Sequence, residues 1–182
     1  ESDTLTGIES VIGSSMKETI IGTVGANHLY GRGGDDTIDG GDGNDVLGGD
    51  GGVNTVSFAS WTAGISDTID LAAGLATRTS VTLGVGGFTT GIVETDQLFG
   101  FQNVTGSALA DTIKGDSGDN VLDGRLGNDA IDGGLGNDTI IGGAGVDTMT
   151  GGTGSDTFRF LSAADMPIGG YVADNIDRIR DF

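Results

Sequence analysis

The chain of 182 residues is long enough for one ordinary domain and too short for two comfortable ones, and its 37 glycines beside a single proline exclude collagen-like and proline-rich architectures. Eight Lys and Arg stand against 27 Asp and Glu, a net charge of −19 that disfavours nucleic acid and anionic membrane as partners and attracts cations. The absence of cysteine removes disulfides, thiolate zinc sites and a cysteine nucleophile. Such a composition also fits a disordered chain, but disorder has no use for an aliphatic residue at every ninth position.

Residues 1–57 read as a first block of nonapeptides. From Gly13 the register runs without a slip through Gly22, Gly31, Gly40 and Gly49. A full unit carries Gly at positions one, two and four, Asp at six and an apolar residue at eight. Its first six residues form a tight turn in which glycine permits positive φ, and the last three form a minimal strand. If nine residues make a half-turn, 18 make a full coil and the strands stack into two parallel sheets. Ile38, Leu47, Val56, Ile113, Leu122, Ile131, Ile140, Met149 and Phe158 then face inward.

Residues 58–98 break the period. Longer strands are predicted at Val56–Ala59 and Thr68–Leu71, followed by a Gly/Thr-rich loop through Gly84-Val85-Gly86-Gly87, the whole forming wider coils of the same solenoid. Trp61 is placed over an edge of the core, with ligand stacking as the other reading. The uncharged run Thr79–Val93 is too short and too polar to span a bilayer.

Residues 99–159 hold the second block, which culminates in GGLGNDTII GGAGVDTMT GGTGSD over Gly133–Asp156. The opening ESDTLTGIESVIGSSMKETIIG aligns without gaps with ETDQLFGFQNVTGSALADTIKG from Glu94, an offset of 93 residues. Because Glu1 matches Glu94, the sequence reads as part of a longer chain with a counterpart of 58–93 upstream. Over 160–182 glycine thins out, and Ile176, Ile179 and Phe182 are expected to cover the open end of the solenoid, a cap read as cut short.

The repeat unit resembles the GGxGxDxUx nonapeptide of the RTX family. The wording DTFRF…DRIRDF is similar to the C-terminal caps of serralysin-type proteases and alginate epimerase R-modules. The resemblance implies an all-β fold, a right-handed parallel β-roll of 18 residues per coil, and several Ca²⁺ ions held between loops 18 residues apart. It further implies that the lower loop offers carbonyls at positions two and four with its Asp, and the upper loop carbonyls at one and three with its own Asp. On this sequence that scheme uses Gly134, Gly136 and Asp138 with Gly151, Thr153 and Asp156. A second set is Arg125, Gly127 and Asp129 with Gly142, Ala144 and Asp147, and a third is Ser107, Leu109 and Asp111 with Gly124, Leu126 and Asp129. Weaker sets are Asp116, Gly118 and Asn120 with Gly133, Leu135 and Asp138; Arg32, Gly34 and Asp36, which faces Asn54; and Asn27 below Gly40, Asp42 and Asp45. An amide oxygen coordinates without bringing charge, so the sites with Asn are expected to be weaker or empty.

The chemistry agrees with the resemblance. Two aliphatics buried per coil, each worth about 1.5–3 kcal/mol, do not offset the ordering of 18 residues rich in glycine, and stacked carboxylates repel. A divalent cation reverses that repulsion. Hard carboxylate and carbonyl oxygens in flexible loops suit Ca²⁺ better than Mg²⁺. No catalytic constellation is present: His28 reads as a solvated surface side chain, and neither HExxH nor Gly-x-Ser-x-Gly occurs.

The expected function is a non-catalytic calcium-binding module that folds outside the cell, serving the type I secretion of a larger bacterial exoprotein. The alternative is a calcium-dependent polysaccharide- or surface-binding module. Its flat faces would be Thr112, Lys114, Ala130, Asp132, Thr148 and Thr150 on one sheet, and Val121, Asp123, Thr139, Ile141, Thr157 and Arg159 on the other.

Overall fold

The structure, a computed structural model, describes residues 8–61, 66–84, 87–160 and 178–179. The described residues contain no helix, and their strands form a β-solenoid of about seven turns. Odd and even strands go to opposite sheets until the period breaks. Strands β1 (Ser10–Ile12), β3 (His28–Tyr30) and β5 (Val46–Gly48) open one sheet; β2 (Thr19–Thr23), β4 (Thr37–Gly41) and β6 (Thr55–Ser57) open the other. After the break β11 (Ala110–Lys114), β13 (Ala130–Asp132) and β15 (Thr148–Thr150) continue the first sheet. The second continues through β10 (Asn103–Thr105), β12 (Val121–Asp123), β14 (Thr139–Ile141) and β16 (Thr157–Phe158). Neighbours pair in parallel at a spacing of 18: Leu29 with Leu47, Ile131 with Met149, Leu122 with Ile140.

Such short strands exist because of position eight. Each three-residue strand turns its central side chain inward and its two neighbours outward, and the inward ones form a column. Ile38, Leu47, Val56, Ile113, Leu122, Ile140 and Met149 are completely buried, with Ile131 almost so and Phe158 packed on the end of the column. Most outward positions, among them Thr112, Lys114, Ala130, Val121 and Arg159, are exposed; Ile141 is buried.

The interruption is not a loop on a wider coil. The stretch expected as a Gly/Thr-rich loop forms strands of an antiparallel meander: β7 (Ser66–Asp70), β8 (Leu75–Gly84) and β9 (Gly87–Phe99). Thr77, Thr79, Val81 and Thr82 favour an extended chain as readily as they decorate a loop, and the glycines that suggested the loop lie around the β8–β9 connection. The second sheet passes directly from β6 to β10, pairing Val56 with Val104. The first sheet takes the meander in the order β5-β9-β8-β7-β11, with Leu47 beside Leu98 at one end and Ile69 beside Ile113 at the other. Phe58, Trp61 and Phe101 are buried in the core beside β6 and β10, where the two sheets differ in strand number.

Trp61 belongs to that core and has no face free for a ligand: it is completely buried, its ring lies 4.5 Å from that of Phe58, and Nε1 donates to the Gly41 carbonyl at 2.7 Å. Of the expected cap, the short strand β17 (Arg178–Ile179) is described; it pairs Ile179 with Met149 and extends the first sheet. Ile176 and Phe182 lie outside the described residues.

The inward column predicts a sharp contrast between the inner and outer faces of one sheet. Ile140→Ala, at a completely buried position, should lower stability by about 2–5 kcal/mol. Its half-exposed counterpart Val121→Ala should stay within about 0.5 kcal/mol of the parent protein. Urea unfolding of the two variants measures both.

Candidate metal centre

The turns between strands fall into two classes, and backbone conformation separates them. In the turns beginning at Gly31, Gly40, Gly49, Gly124, Gly133, Gly142 and Gly151, position four is a glycine with φ between +114° and +149°. That region excludes side chains. Position two of the same turns lies at φ +60° to +96° and is occupied by Arg32, Asp50 or Arg125 as well as by glycine. This milder left-handed region tolerates a Cβ at modest cost, so the repeat enforces glycine at four and relaxes it at two.

The turns beginning at Gly13, Gly22, Gly106 and Gly115 are built differently. Their position-four residues, Met16, Gly25, Leu109 and Gly118, lack the positive φ. The position-two side chain, Ser14, Thr23, Ser107 or Asp116, instead accepts the N–H of position four. The position-six side chain then bends back onto its own turn and accepts the N–H of position two, as in Ser107 N to Asp111 Oδ2 (2.8 Å), Thr23 N to Asn27 Oδ1 (2.7 Å) and Asp116 N to Asn120 Oδ1 (2.9 Å). These are closed turns whose acid or amide is already satisfied.

In the open turns, and at Asp96 and Gln102, one oxygen of the side chain accepts the backbone N–H of the ladder residue in the coil below. Along one edge of the roll the ladder runs Glu18 to Asp36, Asp36 to Asn54, Asn54 to Gln102, then Asn120 to Asp138 and Asp138 to Asp156. Along the other it runs Asn27 to Asp45, Asp45 to Asp96, then Asp111 to Asp129 and Asp129 to Asp147. Each of these bonds measures 2.8–3.0 Å.

The second oxygen distinguishes the open turns. Oδ2 of Asp36, Asp45, Asp129 and Asp138 is buried and has no hydrogen-bond partner. A buried carboxylate oxygen without a donor is costly unless a cation answers it. The same oxygens border a cradle that only glycine at position one leaves open. A Cβ on Gly133 would collide with both Asp138 Oδ2 and the Gly151 carbonyl oxygen, and one on Gly124 with Asp129 Oδ2 and the Gly142 carbonyl oxygen. Acid and carbonyl oxygens from successive coils therefore converge on one small volume, a donor set that fits a hard divalent cation.

The electrostatics carry the same message. Burial pushes Asp129 up to about 8, Asp96 to about 7 and Asp45 to about 6, opposed in part by the backbone N–H bond from the coil below, and Asp111 to about 7, opposed by the N–H of Ser107 in its own turn; neighbouring acids add to each rise. Asp138 is also raised, by burial first and then by Asp156, Asp119 and Asp116. The fold holds these groups where their charged form is disfavoured unless a positive charge joins them.

The structure sorts the expected ligand sets accordingly. Three pairs of open turns share one geometry. Thr153 N donates to the Gly134 carbonyl and Gly136 N to that of Thr153, both at 2.9 Å. Ala144 N donates to the Arg125 carbonyl at 2.8 Å and Gly127 N to that of Ala144 at 3.0 Å. Gly51 N donates to the Arg32 carbonyl at 2.6 Å and Gly34 N to that of Gly51 at 3.1 Å. These pairs bring together Asp138 with Asp156, Asp129 with Asp147, and Asp36 with Asn54. The other three sets, around Ser107, Leu109 and Asp111, around Asp116, Gly118 and Asn120, and around Asn27, each have a closed turn as their lower half. Gly124 and Leu126 in the first of these, Gly133 and Leu135 in the second, and Gly40 and Asp42 in the third meet that closed turn from above.

Two members of the ladders were missed in the sequence. Gln102 stands nine residues before Asp111, so continuing the register would have found it; it accepts the Asn54 N–H at 2.8 Å. Asp96 lies six residues before Gln102, out of step with the period, and only the pairing of β9 with β5 puts it above Asp45.

A pH dependence follows. Folded-state carboxyls raised above their ordinary value of 3.8 stabilise the cation-free fold fully below pH 4 and lose that contribution as pH rises through about 6 to 8. A chelator-stripped chain should therefore gain β signal in far-UV circular dichroism as the pH falls from 8 toward 4.5, the reverse of ordinary acid denaturation. With the cation bound, protons compete for the same oxygens, so the cation concentration needed for half-saturation should rise over the same interval.

The chain matches the RTX calcium-binding nonapeptide repeat (4 copies) at residues 12–47, 21–56, 105–140 and 127–158, which together cover more than half of it and omit the antiparallel meander. No curated protein matches the chain. RTX repeats bind several Ca²⁺ ions along an array and are calcium-binding units, not catalytic ones. Open turns with orphaned acids, an 18-residue coil and these matches agree, and the chain belongs to the family of RTX calcium-binding nonapeptide-repeat proteins.

Proposed function

We propose that this chain is a module whose folding is driven by calcium, expanded where free calcium is scarce and wound into its roll where it is plentiful, and that it serves a larger bacterial exoprotein exported by type I secretion. The single observation carrying this reading is the partnerless, buried Oδ2 of the open-turn acids Asp36, Asp129 and Asp138. Their place in the roll is unfavourable without a cation, so binding and folding become one equilibrium. Millimolar extracellular calcium matches the weak affinities of flexible oxygen sites, and submicromolar cytosolic calcium does not. A chain governed by that difference leaves the cell unfolded and folds outside. Among the described residues no helix is long and apolar enough to cross a membrane.

We assign three inter-turn sites to calcium: Gly134, Gly136 and Asp138 with Gly151, Thr153 and Asp156; Arg125, Gly127 and Asp129 with Gly142, Ala144 and Asp147; and Arg32, Gly34 and Asp36 with Gly49, Gly51 and Asn54. Each is a pair of open turns. The ion supplies the positive charge that lets two acid-bearing turns stack. The chain supplies carboxylate oxygens already oriented by the N–H ladder and a position-one glycine that leaves room. The third site has one carboxylate and is the weakest of the three.

Two experiments test this. Circular dichroism in EGTA and then in excess calcium should show a β signal only in the second; the same spectrum in both would end the coupling. Asp138→Asn, which keeps the N–H acceptor but removes the charge, should raise the calcium concentration at the folding midpoint by about tenfold or more. Asp111→Asn, in a closed turn whose two carboxylate oxygens already have partners, should shift it by a few-fold at most.

A further inference from the structure

Among the described residues, one cation stands in line with the acids of the second edge of the roll, and it lies where the meander interrupts the stack. Following that edge across the first sheet, the station order is Asp45, then Asp96 and Glu94 on β9, then Arg78 on β8, then Asp67 on β7, then Asp111, Asp129 and Asp147. Arg78 is the direct cross-strand partner of Glu94 on one side and of Asp67 on the other, and Asp67 is the direct partner of Asp111. At every other station of this edge the side chain is an acid or an amide on a turn or on the strand that replaces it. At Arg78 the chain is the middle strand of the antiparallel meander and has no turn to offer carbonyls.

The side chain is built into this place. Arg78 is 5 % exposed, and its Nη1 lies 2.7 Å from Asp42 Oδ1 and 3.0 Å from Glu94 Oε2. Its guanidinium carbon sits 4.2 Å from the centre of the Trp61 ring, and Trp61 is tied by Nε1 to the Gly41 carbonyl of the turn that carries Asp42 and Asp45. Nε and Nη2 make no hydrogen bond, so the group acts on Asp67 and Asp96 through charge and not by contact; it favours the ionised form of both, against the larger opposing effect of burial. Around the guanidinium the open turn of residues 40–45 is closed off by β9: Thr95 N donates to Asn44 Oδ1 at 2.7 Å and Asp45 N to Asp96 Oδ1 at 2.8 Å. The open turns at Gly31, Gly124 and Gly133 are each covered by another open turn; here the turn is covered by a strand and an arginine.

We propose that the guanidinium of Arg78 is the built-in cation of this acidic row, standing where the inserted strand leaves no turn to complete an ion site, so that the junction between the two repeat blocks closes without calcium. The planar, always-charged guanidinium suits the position: it donates an N–H to Asp42 and pairs by charge with Glu94 while its face lies on Trp61. The junction then keeps order at calcium concentrations that leave the repeat turns open, and both blocks wind outward from it when calcium arrives.

Hydrogen exchange of the full chain in chelator and in saturating calcium, with urea unfolding in saturating calcium, tests this in the parent protein, Arg78→Met, Arg78→Lys and Arg78→Met combined with Asp42→Asn and Glu94→Gln. In chelator the parent amides of 45–48 and 96–99 should exchange at least about tenfold more slowly than those of 134–156. Arg78→Met should remove that difference, Arg78→Lys should restore most of it, and deleting the two acids in the Met background should restore part of it. Equal exchange at the two places in the parent protein overturns the proposal. So does a combined variant no better than Arg78→Met, which would make the arginine a packing group, or a loss of one bound calcium when Asp42 and Glu94 alone are neutralised, which would put an ion at the junction. The urea arm reads Arg78 whether or not folding is coupled to calcium, so failure of that coupling and failure of this inference give different results.

Discussion

A carboxylate buried between two stacked turns is the constraint on which the rest of this molecule depends. Each open turn sets its position-six side chain where one oxygen is satisfied by an N–H of the coil below, and Asp36, Asp129 and Asp138 keep a second oxygen with no donor at all. The N–H ladder orders the acids into two rows, and order makes their mutual repulsion worse. Aliphatic columns two side chains wide are too thin to override it. A roll of this composition needs positive charge inside it, and calcium between the turns meets that need.

Backbone conformation decides where the charge can go. A turn with left-handed residues at positions two and four leaves its acid free, whereas a turn whose position-two side chain caps position four folds the acid back onto itself. Closed turns open each block, at 13–18 and 22–27 and again at 106–111 and 115–120, and open turns follow. Each block therefore begins with coils that satisfy their own polar groups and continues with coils that depend on an ion. Sequence similarity between the openings of the two blocks, 93 residues apart, carries this arrangement twice.

The meander supplies the remaining solution to the same problem. It widens one sheet by antiparallel strands while the other passes it by, and the aromatic cluster of Phe58, Trp61 and Phe101 fills the core at that level. Where those strands cross the acid row, an arginine stacked on Trp61 stands among the carboxylates. In the proposed assignment, mobile ions and a covalently held cation answer the same repulsion in different parts of one roll.

The nine-residue period by itself determined the fold class, the 18-residue coil, the inward column from Ile38 to Phe158 and the family, because a solenoid is local: each residue's neighbour is itself one coil later, so spacing along the chain is spacing in space. The ladder members Asp36, Asp45, Asp129 and Asp138 were legible for the same reason. The tertiary structure decided what periodicity cannot encode. Whether Asp111 or Asp129 has a free oxygen depends on φ at positions two and four, which Ser107 and Arg125 do not announce. That Thr79–Val93 pairs with itself instead of looping is a matter of non-local strand pairing. That Asp96 and Arg78 join the acid row follows from three strands folding across it, and no interval in the sequence corresponds to that crossing.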